Sequence, residues 1–267
     1  MKLFTLLFAL FLISMLFWAF YRSKVKKSGF KVPAVFPEKW RNFLENEVQF
    51  YANLNTDEKS LFESDVLHFL KRIRITGVKC EITDEDRLLV ASSTVIPIFK
   101  FPEWEYKSLC EVLLYPDLFT EKFDFTGDHR YTSGMVGTGG AMNNVVIFSK
   151  PALRQGFDNK SDKSNVGIHE FVHLFDKQDG EIDGIPHVIM KNQTVLPWLH
   201  LISKMTAEML SGKSDINVYG ATNQQEFLAV ASEYFFERPK LLKKNHPELY
   251  QILSEVFQNN LAEKAQS

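Results

Sequence analysis

The segment Val166-Gly-Ile-His-Glu-Phe-Val-His-Leu-Phe175 contains an H-E-x-x-H motif. On a helix, His169 and His173 lie one turn apart, so both imidazole rings can reach one metal ion with Glu170 beside them. Glu170 is the only acidic or basic residue in the stretch, and no proline interrupts it. The pattern therefore predicts a half-buried helix that presents a metal-binding set to a cleft, as in zinc hydrolases.

A catalytic zinc ion needs three protein ligands and one open position for water, so a third ligand is expected downstream. Thr222 and Gln225 have the spacing of a capping box, which predicts a helix that starts there. Glu226 then falls in the first turn, and Glu233 lies seven residues later on nearly the same face. We interpret Glu226 as the third ligand and Glu233 as a residue that orients a ligand. Five histidines stand alone in the sequence and are typical of surface or capping positions: His68, His129, His187, His200 and His246.

Composition and charge exclude several classes of protein. With 267 residues, 45% of them hydrophobic and 24% charged, the chain can form a globular core. Residues 28–267 carry 26 basic and 33 acidic side chains, a formal charge of −7. A domain with this net negative charge repels the phosphate backbone of a nucleic acid, which argues against nucleic-acid binding. Cys80 and Cys110 are the only cysteines, which favours a reducing compartment and excludes a cysteine-rich metal site.

The N-terminus carries an uncharged run at residues 3–21, long enough to cross a bilayer core of about 30 Å as a helix. Trp18 and Tyr21 suit a membrane interface better than the small-residue cleavage site of a signal peptide, which is the main alternative. Basic residues follow the run, so the positive-inside rule predicts a single-pass anchor in the inner (cytoplasmic) membrane, with the catalytic domain in the cytoplasm. The predicted organisation is an anchor with its basic flank at 1–27, a linker at 28–37 and one domain at 38–267.

The domain alternates helical and strand patterns, which predicts an α/β (α+β) fold. It would combine a mixed sheet, an active-site helix, and helical N- and C-terminal parts. The predicted helices lie at 40–51, from an N-cap at Thr56 to about residue 70, and from Thr83 to Pro97; the predicted strands lie at 112–115 and 145–148.

A glycine-rich segment, Gly134–Gly140, precedes the second predicted strand and is typical of a turn. It lacks the Lys-Ser/Thr ending of a phosphate-binding loop. In many zinc peptidases, the strand before the metal helix is an edge strand that pairs with an extended peptide substrate. The segment Asn144–Ser149 occupies this place in the chain, so we expect it to be the substrate-pairing edge.

Three blocks of this sequence resemble the Mlc titration factor A family of zinc peptidases, and weaker similarity extends over about residues 36–257. The blocks are His169–Asp176, Asp183–Pro186 and Tyr219–Phe236. The resemblance implies a zincin-like, gluzincin-type fold with glutamate as the third zinc ligand, and aminopeptidase-type activity on small peptides. It also implies binding of a sugar-responsive transcriptional repressor, and it identifies Tyr219 as the catalytic tyrosine that stabilises the oxyanion.

Two functional hypotheses follow. In the first, the protein is a membrane-anchored zinc metallopeptidase in which Glu170 is the general base on a zinc-bound water. In the second, it is a regulatory binding protein that captures a transcriptional repressor or another partner, with a structural or vestigial zinc site. The intact Glu170 favours the first, because a purely structural site does not need a base. The apolar N-terminus is not part of the family's usual soluble form. The stretch Thr132–Asn143 departs from the family's tryptophan-containing pattern before the strand, which leaves the substrate preference open.

Overall fold

The computed structural model describes residues 30–102, 104–120, 131–137, 144–158, 162–187 and 189–264. The predicted membrane anchor at 3–21 lies outside these residues. Within the part described, no helix combines the length and the apolar composition needed to cross a bilayer. Residues from Pro33 onward belong to one compact unit, and this unit holds the motif helix.

Eleven α-helices occur in the described part of the chain, and they dominate both its beginning and its end. They are α1 (Glu38–Glu47), α2 (Gln49–Ala52), α3 (Thr56–Arg72), α4 (Asp84–Ile98), α5 (Lys150–Asp158), α6 (Val166–Asp176), α7 (Asn192–Leu210), α8 (Gln224–Glu237), α9 (Pro239–Asn245), α10 (Pro247–Val256) and α11 (Leu261–Lys264). Short 3₁₀ turns lie at Lys177–Asp179 and Val218–Ala221.

The strands lie between α3 and α5. They are β1 (Arg74–Gly77), β2 (Glu111–Tyr115), β3 (Phe119–Thr120), β4 (Tyr131–Thr132), β5 (Gly134–Val136) and β6 (Val145–Ser149). Four of them form a sheet in the order β1-β2-β6-β5, in which β1, β2 and β6 are parallel and β5 runs antiparallel to β6. β3 and β4 form a separate antiparallel pair. The mixed sheet and the abundant helices confirm the predicted α/β class, and both predicted strands are present.

The prediction that Asn144–Ser149 is the substrate-pairing edge is wrong. β6 pairs with β2 on one side and with β5 on the other, so its hydrogen-bonding groups are used within the sheet. Its last four residues are buried, as expected for an interior strand with a continuous apolar run. In the described part of the sheet, the edge strand beside β6 is β5. It is formed by the start of the glycine-rich segment that was predicted to be a turn.

Several helix boundaries differ from the prediction by a residue or two. The first predicted helix is two helices, α1 and α2, separated at Val48. The N-cap of α3 is Asn55 and not Thr56, because the side chain of Asn55 accepts a hydrogen bond from the third residue of the helix. Thr83 caps α4 as predicted, and α4 continues one residue beyond Pro97.

The apolar face of α6 lies in an aromatic core. The ring of Phe171, which is fully buried, lies 5.4 Å from that of Tyr106 and 6.0 Å from that of Phe148, measured between centroids. Gly167 lets α6 approach α4 closely, because a Cβ atom there would lie 2.0 Å from the hydroxyl oxygen of Ser93. Packing on this side fixes the helix and leaves its polar side chains to face α8.

Candidate metal centre

The motif helix α6 begins at Val166 because Asn165 caps it. The side-chain oxygen of Asn165 accepts a hydrogen bond from the backbone N–H of Ile168 at 3.1 Å. Asn165 is fully buried, so this cap also fixes the start of the helix relative to its neighbours.

Helix α8 begins one residue later than predicted. Its N-cap is Asn223, whose side chain accepts a hydrogen bond from the backbone N–H of Glu226 at 2.9 Å. Thr222, the predicted cap, instead donates its hydroxyl hydrogen to the carbonyl oxygen of Tyr219 at 2.7 Å, within the preceding 3₁₀ turn. Glu226 nevertheless remains in the first turn of α8, where its side chain faces α6.

The side chains of His169, His173 and Glu226 converge. The Nε2 atoms of the two histidines lie 3.1 Å apart, and Glu226 Oε2 lies 3.0 Å from His169 Nε2 and 3.5 Å from His173 Nε2. Only 11–13% of each side chain is exposed. Two imidazoles and one carboxylate are ligands of divalent transition metals, and the three donor atoms lie within 4.8 Å of one another. The residues therefore fit a metal ion, although their role as ligands stays a prediction.

Glu233 lies behind this cluster and orients His169, in the position that the sequence predicts. Its Oε1 atom lies 2.7 Å from His169 Nδ1, so the opposite ring nitrogen is directed at Glu226 and His173. Its Oε2 atom accepts a hydrogen bond from the backbone N–H of Asn165 at 2.6 Å. A carboxylate held at both oxygens fixes the orientation of the imidazole ring.

Asn165 is a residue of this site that sequence reasoning missed. Its side-chain amide donates hydrogen bonds to the carbonyl oxygen of Gly156 at 3.1 Å and to Glu237 Oε1 at 2.9 Å. Together with its bond to Glu233, these contacts link the start of α6 to the far half of α8. A signal was present, because asparagine directly before an apolar helical run is a typical N-cap. No sequence pattern indicates that Asn165 also bonds to Gly156 and Glu237, which are distant in the chain.

Glu170 is buried, with 7% of the residue exposed, and it lies against the edge strand β5. A Cβ atom at Gly134 would lie 2.9 Å from Glu170 Oε1 and 2.6 Å from Val166 Cγ2, so only glycine fits without a shift. The backbone of β5 therefore passes directly beside the predicted base. A glycine within a strand is a known sign of such close approach.

Tyr219 lies on the 3₁₀ turn before α8 and is 52% exposed. The centroid of its ring lies 6.1 Å from that of His169. All five predicted site residues thus lie in one region, four of them largely buried and Tyr219 at the solvent side. Its catalytic role stays a prediction.

The electrostatics of the cluster favour a positive charge at its centre. Burial raises the pKa of Glu226, but hydrogen bonds with His169 and His173 outweigh this effect and lower the pKa to about 2. Burial lowers the pKa of His169, but its hydrogen bonds with Glu226 and Glu233 raise the pKa well above the usual value. Burial also raises the pKa of Glu170, which the neighbouring imidazoles partly offset. The carboxylates therefore stabilise a cation here, either a proton or a metal ion.

Comparisons with known proteins agree with this chemistry. A family model described as "Glucose-regulated metallo-peptidase M90" matches residues 22–258. An uncharacterized protein from Synechocystis sp. is 28% identical over 232 residues, which cover 83% of this chain and 84% of that protein. Mlc titration factor A from Pectobacterium atrosepticum is 26% identical over 225 residues, 80% of this chain and 83% of its own length. Mlc titration factor A from Escherichia fergusonii is 27% identical over 222 residues, with coverages of 78% and 82%.

Proposed function

The chain belongs to the glucose-regulated metallo-peptidase M90 family, and on that premise we propose that it is a zinc-dependent aminopeptidase acting on small peptides. The observation that carries the proposal is the convergence of His169, His173 and Glu226 beside the buried carboxylate of Glu170. A set of two histidines and one glutamate leaves a fourth position for water, as in catalytic zinc sites.

The residues around the cluster have distinct roles in this proposal. When bound, zinc supplies the Lewis acidity that polarises a peptide carbonyl group and makes water easier to deprotonate. Glu170 takes the proton from the attacking water and later gives it to the leaving amine. Its burial raises its pKa, which makes it a stronger base than an exposed carboxylate. Glu233 keeps the ring of His169 in place throughout, because it is held in turn by Asn165.

The edge strand β5 gives the substrate a place to bind. An extended peptide can pair with the backbone of an edge strand, and Gly134 places this edge beside Glu170. The scissile bond of a peptide that pairs with β5 would therefore lie close to the base. Tyr219, which is half exposed next to His169, donates its hydroxyl hydrogen to the carbonyl oxygen as negative charge develops there.

The proposal is tested by measuring zinc content and hydrolysis of amino-terminally free and blocked peptides, for the wild type and for Glu170→Gln. The variant should retain one zinc per chain and lose hydrolysis by about 10²–10⁴-fold, since proton transfer contributes this much. Glu81→Gln, a substitution at an exposed residue, is the matched control and should be fully active. Hydrolysis at the wild-type rate in Glu170→Gln would contradict the proposed mechanism. If the wild type cleaves blocked and free peptides equally well, the protein is an endopeptidase and not an aminopeptidase.

The role of Tyr219 has its own test. Tyr219→Phe should lower turnover by about 10²–10³-fold, as loss of one oxyanion donor does in other enzymes. Zinc content should be unchanged, because the tyrosine is not among the three donors. An unchanged turnover would assign the ring to packing against His169.

We infer a second candidate function, capture of a regulatory protein such as a transcriptional repressor. It is favoured by the relatives named Mlc titration factor A, which are named for an effect on another protein. The Glu170→Gln variant separates the two candidates in cells. Loss of the regulatory effect in this variant supports the peptidase, whereas an effect that persists without hydrolysis supports the binding protein.

We also propose that residues 3–21 anchor the protein in the inner membrane, with the domain in the cytoplasm. The proposal rests on the uncharged run and the basic residues that follow it. Intact-mass measurement of the mature protein and a reporter fused to the C-terminus test it. A mass that lacks the N-terminal residues, or a reporter active only outside the cytoplasm, would contradict it.

A further inference from the structure

Asp215 lies in the segment that connects α7 to the second 3₁₀ turn, and its carboxylate contacts side chains from distant parts of the chain. Its Oδ2 atom accepts hydrogen bonds from Lys163 Nζ at 2.7 Å, Tyr234 Oη at 2.8 Å and Asn245 Nδ2 at 2.9 Å. Its Oδ1 atom lies 2.5 Å from His246 Nε2. Lys163 Nζ also donates to the backbone carbonyl oxygen of Asp215 at 2.7 Å. We call Asp215 and these four residues the Asp215 network.

Two members of the Asp215 network belong to the segments that build the metal centre. Lys163 comes two residues before Asn165, the N-cap of α6, and Tyr234 directly follows Glu233 on α8. The ammonium group of Lys163 also lies 4.5 Å from the ring centroid of Tyr234. A network of several charged and polar groups restrains its members better than an isolated surface ion pair does. The network therefore ties the segment after α7 to the start of α6 and to α8.

The carboxylate of Asp215 is the centre of this network and is charged at neutral pH. Burial raises its pKa, but hydrogen bonds with Lys163, His246 and Tyr234 outweigh this effect and hold the pKa well below its usual range. The side chain is 35% exposed, so the network lies at the surface and not in the core. Its strength comes from the number of donors on one carboxylate.

The turn that carries Tyr219 follows Asp215 closely. Ile216, the next residue, is buried and fixes the segment on its apolar side. Asn217 caps the turn, because its Oδ1 atom accepts a hydrogen bond from the backbone N–H of Tyr219 at 3.0 Å. The carbonyl oxygen of Tyr219 accepts the hydroxyl hydrogen of Thr222 at 2.7 Å. Side chains thus hold both backbone groups of Tyr219, in a segment that is anchored at Asp215.

The position of the Tyr219 ring depends on this backbone. Tyr219 is 52% exposed, so packing around the ring restrains it only in part. A donor stabilises an oxyanion at about 2.7–3.1 Å, and a displacement of about 1 Å is enough to weaken catalysis strongly. A turn that shifts relative to α6 would therefore carry the hydroxyl group out of reach.

We propose that Asp215 is a positioning residue, which fixes the 3₁₀ turn relative to α6 and α8 so that Tyr219 stays beside the metal centre. The proposal rests on the proposed catalytic role of Tyr219. It extends the working parts of the site to a surface carboxylate that touches neither the metal ligands nor the base.

The test is a double-mutant cycle on peptide hydrolysis by the zinc-loaded full chain. Asp215→Ala should lower kcat about tenfold and leave KM and zinc content within about twofold of the wild type, because an oxyanion donor acts in the transition state. In the Tyr219→Phe background, Asp215→Ala should lower kcat by less than about twofold, since no hydroxyl group is left to misplace. Wild-type kcat in Asp215→Ala, or an equal loss in both backgrounds, overturns the proposal.

Two further variants separate positioning from a general loss of stability. Asn217→Ala removes the cap of the turn and leaves the Asp215 network in place, and it should cause the same selective loss of kcat. Asp86→Asn removes a buried ion-pair partner of Lys150 and Arg154, far along the chain from the turn, and should keep kcat within about twofold of the wild type. A loss of kcat in Asp86→Asn as large as in Asp215→Ala would assign the effect to stability and overturn the proposal.

Amide hydrogen exchange separates a failure of this proposal from a failure of the proposed function. Exchange in peptides that cover residues 214–222, measured by mass spectrometry, should be at least about tenfold faster in Asp215→Ala than in the wild type. Exchange in Asp86→Asn should match the wild type over the same residues. Wild-type kcat in Tyr219→Phe would contradict the catalytic role of Tyr219, whereas unchanged exchange in Asp215→Ala would contradict the positioning by Asp215.

Discussion

Two carboxylates near the start of helices, Asp86 on α4 and Glu226 on α8, have similar electrostatics and different surroundings. Burial raises the pKa of Asp86, but bonds to Lys150, Thr83 and Arg154 outweigh this effect and lower it. Lys150 Nζ lies 2.8 Å from Asp86 Oδ2, and Arg154 Nη2 lies 2.9 Å from Oδ1. Asp86 is fully buried, so its charge is balanced by two permanent cations and is closed to solvent.

Glu226 also has a lowered pKa, but its partners are the imidazoles of His169 and His173. An imidazole is positive only when protonated, so the charge balance of this cluster depends on a cation that can exchange. A lowered carboxylate pKa alone therefore does not mark a functional site. A carboxylate with permanent cations holds helices together, whereas one whose partners are imidazoles can bind a metal.

The largest effect should come from Glu226→Gln. Removal of one of three ligands from a site that binds zinc with a free energy on the order of 10 kcal/mol should cost about a third of that free energy, or roughly a few hundredfold in affinity. Competition titration with a zinc chelator measures this affinity. The contrast between the two carboxylates is contradicted if Glu226→Gln binds zinc as tightly as the wild type, or if Asp86→Asn lowers the zinc affinity as much as Glu226→Gln does.

The second effect is on stability. Asp86→Asn should lower the free energy of unfolding by about 3 kcal/mol, because it leaves Lys150 and Arg154 without their buried partner. Denaturant unfolding of the metal-free protein measures it. Asp84→Asn is a matched control in the same turn, where the salt bridge with Lys39 is largely exposed, and it should cost no more than about 1 kcal/mol. An equal cost for both variants would contradict the assignment of Asp86 as the buried anchor.

Sequence reasoning identified the local parts of this comparison and missed the distant ones. The motif on α6 and the position of Glu226 could be predicted, because both depend on spacing along a single helix. The helix start at Thr83 could be predicted for the same reason, because an N-cap depends on neighbouring residues. The partners of Asp86 could not be predicted from the sequence, because Lys150 and Arg154 lie on α5, more than sixty residues away.

The edge of the sheet could not be predicted for a related reason. The prediction that β6 is the edge rests on its place in the chain before α6, and its β-branched sequence does not show which strands pair with it on either side. The true edge, β5, begins with Gly134, whose importance depends on its contact with Glu170. The links from Asn165 to Glu233 and Glu237 likewise join segments that are far apart in the chain.

The smallest effect is a dependence of stability on pH. Because the pKa of Asp86 is lowered in the folded protein, its charged form stabilises the fold above the unfolded value of about 3.9. This contribution is lost as the pH falls towards the folded value. The difference in unfolding free energy between wild type and Asp86→Asn should therefore narrow as the pH falls from 6 to 3, by no more than about 1.3 kcal/mol, because the unfolded carboxyl group binds its proton only near pH 3.9. A constant difference over this range would show that the charge of Asp86 does not stabilise the fold.

The most direct test of the metal centre is X-ray absorption spectroscopy of the zinc-loaded protein, with Glu226→Gln as the comparison. The wild type should hold one zinc, with nitrogen and oxygen ligands at about 2.0–2.2 Å and the signature of two imidazole rings. The spectrum of Glu226→Gln should change or its zinc should be lost. Sulfur ligands at about 2.3 Å, or an identical spectrum in the variant, would contradict a site built from His169, His173 and Glu226.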